Sequence, residues 1–171
     1  MFHTIKPKEL TQNVFSLLDD QWALIAAGTK DHCNAMTASW GGMGVLFHKN
    51  VVTIYVRPQR YTYEILEQHA EFTLSFFDPS YRSVLTMFGT KSGREMDKIK
   101  ESGLTLLMAG EEAPYFGEAE LVLSCRKLYQ QDLNPEGFVE PFIHEFYEKQ
   151  DYHRMYIGEI TQALVRSSTI E

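Results

Sequence analysis

The chain has 171 residues, 44% of them hydrophobic and 23% charged, with a formal net charge of -7 and a pI near 5.4. That length suits one domain with a sizeable core. The acidic balance argues against nonspecific nucleic-acid binding, which rests on neutralising phosphates with Lys and Arg. The opening MFHTIKPKEL lacks the apolar core of a signal peptide, and no apolar run approaches the roughly 20 residues that span a bilayer. Cys33 and Cys125 form no CxxC pair and read as free thiols of a reducing compartment. The expectation is a cytoplasmic protein with neither a nucleic-acid nor a membrane partner.

In chain order, WALIAAG (Trp22 to Gly28) is the first strand, and NAMTAS pairs with it across the turn KDH. VVTIYVR (Val51 to Arg57) is rich in β-branched residues, reads as a strand and ends at Pro58. YTYEILEQH has helical spacing with Glu64 in its first turn. EFTLSFF alternates as a strand should. Asp78-Pro79 then gives an N-cap followed by proline at the first helical position, and the helix runs to Gly89. Ser92 and Glu95 make a capping-box pattern before a short helix in MDKIKES. LTLLM is extended.

EAELVLSCRKLYQQDL alternates, with Leu121, Leu123 and Cys125 on one face and Val122 opposite. Asn134-Pro135-Glu136 opens a further helix that Pro141 breaks or delays. YHRMYIGEITQALV closes the chain as a strand with a kink at Gly158. The count is about six or seven strands with three or four short helices. The helices are too few for a doubly wound sheet, so a small antiparallel barrel decorated with helices fits better.

Six histidines fall in no HxH or HExxH spacing, and no metal site is expected. No GxSxG, GxGxxG or P-loop occurs; GGMG at Gly41 to Gly44 lacks the dinucleotide spacing. Four polar stretches remain. In NAMTASWGG, small residues let a backbone approach a flat ligand and donate to it through N–H groups, although Gly-Gly is also a common turn signal. RPQRYT sets Arg57 and Arg60 beside a helix start at Thr62, a phosphate-binding arrangement unless the arginines are simply solvated. GTKSGR offers Lys91 on a loop that is either phosphate-facing or a plain connection. In DYHRMYIGEI, His153 stands at a strand start with no partner evident, which favours a structural role.

In this order the four stretches resemble the flavin reductase-like family of FMN-binding split barrels, and the first two are similar to its flavoredoxin-type branch. The resemblance spans roughly residues 10 to 165. It implies a mainly β fold with some α: a six-stranded antiparallel split β-barrel decorated with short helices. It also implies a homodimer with FMN near the subunit interface. The backbone of Thr37, Ala38, Ser39 and Trp40 would lie along the isoalloxazine edge, with Asn34, Ala35 and Met36 on the same wall. Thr37, Arg57, Arg60, Tyr61 and Thr62 would surround the ribityl phosphate, assisted by Lys91. His153 matches a family histidine near the flavin or nicotinamide, but Asp151 and Tyr152 stand where the family carries Gly and Asp.

The activity implied is hydride transfer from NADH or NADPH to the flavin, with electrons passed on to a free flavin, a redox partner protein or oxygen. The protein would then position and tune the cofactor, which carries the chemistry. Three alternatives stand beside it. One is an FMN-binding electron-transfer module without turnover, and another is a pyridoxamine-phosphate-oxidase-like or haem-handling barrel. The third is an apo barrel with surface arginines.

Overall fold

The structure, a computed structural model, describes residues 1–167. Ten strands and three α-helices follow one another: β1 (Phe2–Ile5), β2 (Ala23–Gly28), β3 (Cys33–Ala38), β4 (Gly41–Leu46), β5 (Lys49–Val56), α1 (Tyr61–Gln68), β6 (Glu71–Phe76), α2 (Arg82–Thr90), α3 (Lys98–Ser102), β7 (Leu106–Met108), β8 (Pro114–Phe116), β9 (Leu121–Asp132) and β10 (Arg154–Arg166). A π-helical turn covers Ser16–Gln21, and 3-10 segments cover Pro135–Gly137 and Pro141–Tyr147. None of the described helices is long and apolar enough to cross a membrane.

All six expected strands join one antiparallel sheet, in the order β3-β2-β6-β9-β10-β5-β4 with β1 added beside β10. Two members were not expected. β1 is only four residues long, and β4 contains the Gly-Gly that reads as a turn. The reversal lies further on, at Phe47 and His48, which link Leu46 to its partner Lys49. Both have positive φ, 53° and 57°. This is the left-handed pair that a two-residue hairpin needs to match strand twist, usually supplied by Asn and Gly.

The connectivity forces the sheet to curl. β3 and β4 are its two outermost strands, yet only Ser39 and Trp40 separate them along the chain. Ala38 and Gly41 are three virtual bonds apart, so their Cα atoms lie at most about 11 Å from each other. The seven-strand path must therefore bend round until its ends nearly meet, which gives a barrel split between β3 and β4. Among the described residues, both strands keep one edge without a sheet partner.

Alternation divides the side chains between two buried clusters. Ile25 and Ala27 of β2 point into the barrel with Leu121, Leu123 and Cys125 of β9, and Ile65 and Leu66 of α1 join them. Leu24, Ala26 and Val122 point the other way, against Leu85 and Phe88 of α2 and Phe116 of β8. The assignment of β9 faces matches the sequence pattern. The expected kink at Gly158 is a register shift between Ile157 and Gly158. A Cβ there would sit 2.7 Å from Phe72 Cζ, so the ring needs a residue without a side chain above it.

Helix starts match in part. Asp78 accepts a 2.9 Å hydrogen bond from Ser80 N–H ahead of α2. The Ser92–Glu95 capping box does not start α3; Asp97 caps it instead, accepting from Lys100 N–H. The region after Asn134 forms two 3-10 pieces rather than one helix, and the second begins at Pro141.

Candidate active site

Two adjoining cavities open at the split end of the barrel, and Arg60 lines both. The larger, about 330 Å³, is walled by Met36 to Trp40 on one side and by Tyr55, Arg57 and His153 on the other. The smaller, about 90 Å³, lies among Asn34, Tyr61, Thr62, Lys91, Gly93 and Lys98. Every residue singled out in the sequence lines one of the two except Ala35. Its side chain is fully buried in the cluster under α2 and reaches neither cavity.

The small cavity is cationic and polar. Arg60 sits one residue before α1 and donates to the carbonyls of Gly89 (2.8 Å) and Phe88 (3.1 Å) at the end of α2. Lys98 Nζ also donates to Phe88 O, at 3.1 Å, and the lysine is only 2% exposed. Burial and the neighbouring Arg60 charge push the Lys98 pKa down to about 8. Burial lowers Arg60 as well. Asn34 Nδ2 donates to Thr62 Oγ1 at 2.8 Å, tying β3 to the first turn of α1. Gly93 makes this possible: a Cβ there would strike Asn34 Oδ1 and come within 2.8 Å of Tyr61 Cδ1.

Lys98 carries no sequence signal. It belongs to a short polar helix, and only the packing of α3 against α2 and β3 reveals that it points inward. Tyr55 is a second residue that pattern-reading passed over. It is legible afterwards from alternation in β5, where Ile54 and Val56 face the core and Thr53 and Tyr55 do not.

The large cavity is arranged differently from the expected phosphate grip. Arg57 is held away from the small cavity: its Nη1 pairs with Asp151 at 2.7 Å, and its Nη2 donates to Phe146 O at 2.9 Å. Its guanidinium also lies 5.1 Å from the centre of the Tyr147 ring. Burial raises the Asp151 carboxyl, but hydrogen bonds from Arg57 and Gln59 outweigh it and leave the pKa lowered. The hydroxyl of Thr37 donates to Leu85 O, fastening β3 to α2. Of the two expected arginines, Arg60 alone lines the small cavity.

His153 does have a partner. Its Nδ1 lies 2.7 Å from the Tyr147 hydroxyl, and its ring is 5.0 Å from Trp40. Burial, reinforced by Arg57, lowers its pKa to about 4, so the ring is neutral at physiological pH. Burial likewise raises Tyr147. Phe146 meets Trp40 edge-on at 5.5 Å. The segment between β9 and β10 is thus latched over the cavity by Arg57, Phe146 and Tyr147.

The family model described as the flavin reductase like domain matches residues 16–171. The chain belongs to the flavin reductase-like domain family. Solved structures with the same fold include a flavoredoxin from Methanosarcina acetivorans, 21% identical, covering 98% of this chain and 79% of that one with a TM-score of 0.68. Nitrilotriacetate monooxygenase component B from Bacillus cereus is 18% identical, covering 98% and 83% with a TM-score of 0.69. An FMN-binding domain of a flavin reductase-like enzyme from Shewanella baltica is 15% identical, covering 96% and 77% with a TM-score of 0.67. No curated protein sequence matches the chain. The mainly β, antiparallel split-barrel architecture is shared with these flavin reductase-like neighbours.

Proposed function

We propose that the protein is an FMN-binding oxidoreductase of the cytoplasm that takes reducing equivalents from NADH or NADPH and works as a homodimer. One observation carries the reading. Two cations, Arg60 and Lys98, are turned into a cleft just large enough for a phosphoryl group, with no acidic side chain of the described residues paired to either. A buried charge without a counter-ion is costly, and a bound dianion removes that cost. The residues therefore fit FMN: Lys98, Arg60 and Lys91 at the phosphate, Asn34 and Thr62 along the ribityl arm, and the backbone of Thr37 to Trp40 along the ring.

Bound flavin would supply the capacity to accept a hydride and release electrons singly or in pairs. The chain's own residues orient and shield. The partnerless edge of β3 offers main-chain donors, which favour negative charge developing on a ring held there. Trp40 and Tyr55 line the cavity where the ring would lie. His153, neutral and bonded to Tyr147, adds no positive charge beside the ring and is not assigned as an acid. The exposed tip of the β4–β5 hairpin, with Val45 71% and Phe47 63% exposed, supports self-association.

Flavin-free protein titrated with FMN and with riboflavin tests the reading. FMN should bind at least about a hundredfold tighter, because only it carries the phosphate that the two buried cations pair with. Equal affinities would overturn the assignment of the cleft. Anaerobic mixing of the FMN-loaded protein with each nicotinamide then separates turnover from carriage. Rapid bleaching by one of them is expected; no bleaching by either identifies an electron-transfer module.

A further inference from the structure

A third and larger cavity, about 810 Å³, adjoins the proposed flavin cavity and shares Ser39, Trp40 and Tyr55 with it. Its other walls are Val14, Phe15 and Leu18 beside the π-helical turn, Gly41 to Met43 at the start of β4, and Leu133 and Tyr147. Among the described residues no Lys or Arg lines it, and its one charged side chain is Asp19. We propose that this groove is the electron-acceptor site and takes a neutral aromatic carbonyl compound, a quinone being the simplest member of the class. The proposal rests on the flavoprotein reading above and deepens it by naming the substrate class.

Charge and shape select the occupant. The pyrophosphate of a nicotinamide dinucleotide needs cations, and this groove offers a carboxylate instead, so that end of the dinucleotide is not accommodated here. A phosphorylated flavin fares no better. A neutral planar ring suits it: the volume lies within the range of small-molecule sites, and the lining is aromatic and aliphatic with few polar groups. Phe15 is 83% exposed, an unusual state for a large ring that ligand burial would relieve. Continuity through Trp40 and Tyr55 puts a groove ligand against the residues that wall the flavin cavity. The reaction balances without a third reactant. NAD(P)H gives up a hydride, solvent gives one proton, the quinone gains both to become the hydroquinone, and NAD(P)+ leaves.

The test uses 1-naphthol as an unreactive neutral probe, with calorimetric titration of the flavin-free and the FMN-loaded protein. Both should bind it, and Phe15→Glu should weaken binding by about tenfold or more by placing charge against the ring. The exposed position lets that variant fold, and its FMN affinity should equal that of the unaltered chain. With FMN loaded, Phe15→Glu should raise KM for 2-methyl-1,4-naphthoquinone at least as much. Equal 1-naphthol affinity in Phe15→Glu and in the unaltered chain would overturn the proposal. So would loss of probe binding as the protein dimerises, since a second copy would then occupy the groove. Failure of FMN to bind while 1-naphthol still does would overturn the flavoprotein reading and the acceptor role with it, leaving only a site for neutral rings.

Discussion

Lys98 and Arg60 donate to the same oxygen: Nζ of one and Nη2 of the other each lie 3.1 Å from the carbonyl of Phe88. Two cations gathered on one neutral acceptor repel each other. The arrangement is poised for an anion to complete it.

Lys98→Met keeps the stem and removes the charge. FMN affinity should fall by about tenfold to a hundredfold, the scale of a charge-assisted hydrogen bond. Thermal stability of the flavin-free protein should hold or rise, because an unpaired buried charge is gone. Fluorescence titration and a melting curve read the two effects. A variant that loses stability and keeps its FMN affinity would mean that Lys98 serves packing only.

The same lysine gives opposite pH trends for folding and for binding. Its folded pKa, about 8, lies below its ordinary 10.5. Between those values the unfolded chain holds the proton more often than the folded one. Its contribution to the stability of the flavin-free protein therefore improves as pH rises through that window. FMN affinity should weaken over the same rise, since the neutral amine no longer pairs with phosphate. Lys98→Met should flatten both trends in urea midpoints and titrations measured from pH 7 to 10.

His153 titrates on the other side of neutrality. Its folded pKa of about 4 lies below the ordinary 6.5, so acid is taken up by the unfolded state first. Stability supplied by the neutral ring is complete above about pH 6.5 and drains away as pH falls towards 4. His153→Gln should remove that part of the slope in urea midpoints. An NMR titration should show the imidazole unprotonated at pH 5; a midpoint near 6.5 would contradict the burial described here.

Arg57 is expected to act as a latch rather than a phosphate ligand. Arg57→Met removes the Asp151 ion pair and the bond to Phe146 O. Amide exchange in residues 141–150 should accelerate about tenfold or more, given the ~1.5–3 kcal/mol typical of hydrogen bonds to charged groups. The FMN phosphate contacts should survive, so the FMN-to-riboflavin affinity ratio should stay the same.

Much of the fold could be read from residues alone, because β2, β5, β6 and β9 carry apolar alternation or β-branched runs that only a half-buried or buried strand satisfies. β4 could not. Its glycines imitate a turn, and its pairing is dictated by β5 and by a hairpin whose left-handed positions hold Phe47 and His48, not Asn-Gly. The site was legible where chemistry sits in contiguous motifs, as with Asn34 to Trp40 and Arg60 to Thr62. It was illegible where burial alone makes the chemistry. Lys98 looks like any solvated helix lysine until Phe88 is packed over it, and Arg57 resembles Arg60 until Asp151 claims it from 94 positions away.

The two-residue span Ser39–Trp40 acts as a clasp for the whole molecule. It links the two outermost strands directly, and it also lines both the proposed flavin cavity and the groove beside it. Protein engineers should find its length unforgiving: a spliced-in loop there would loosen both compartments at once.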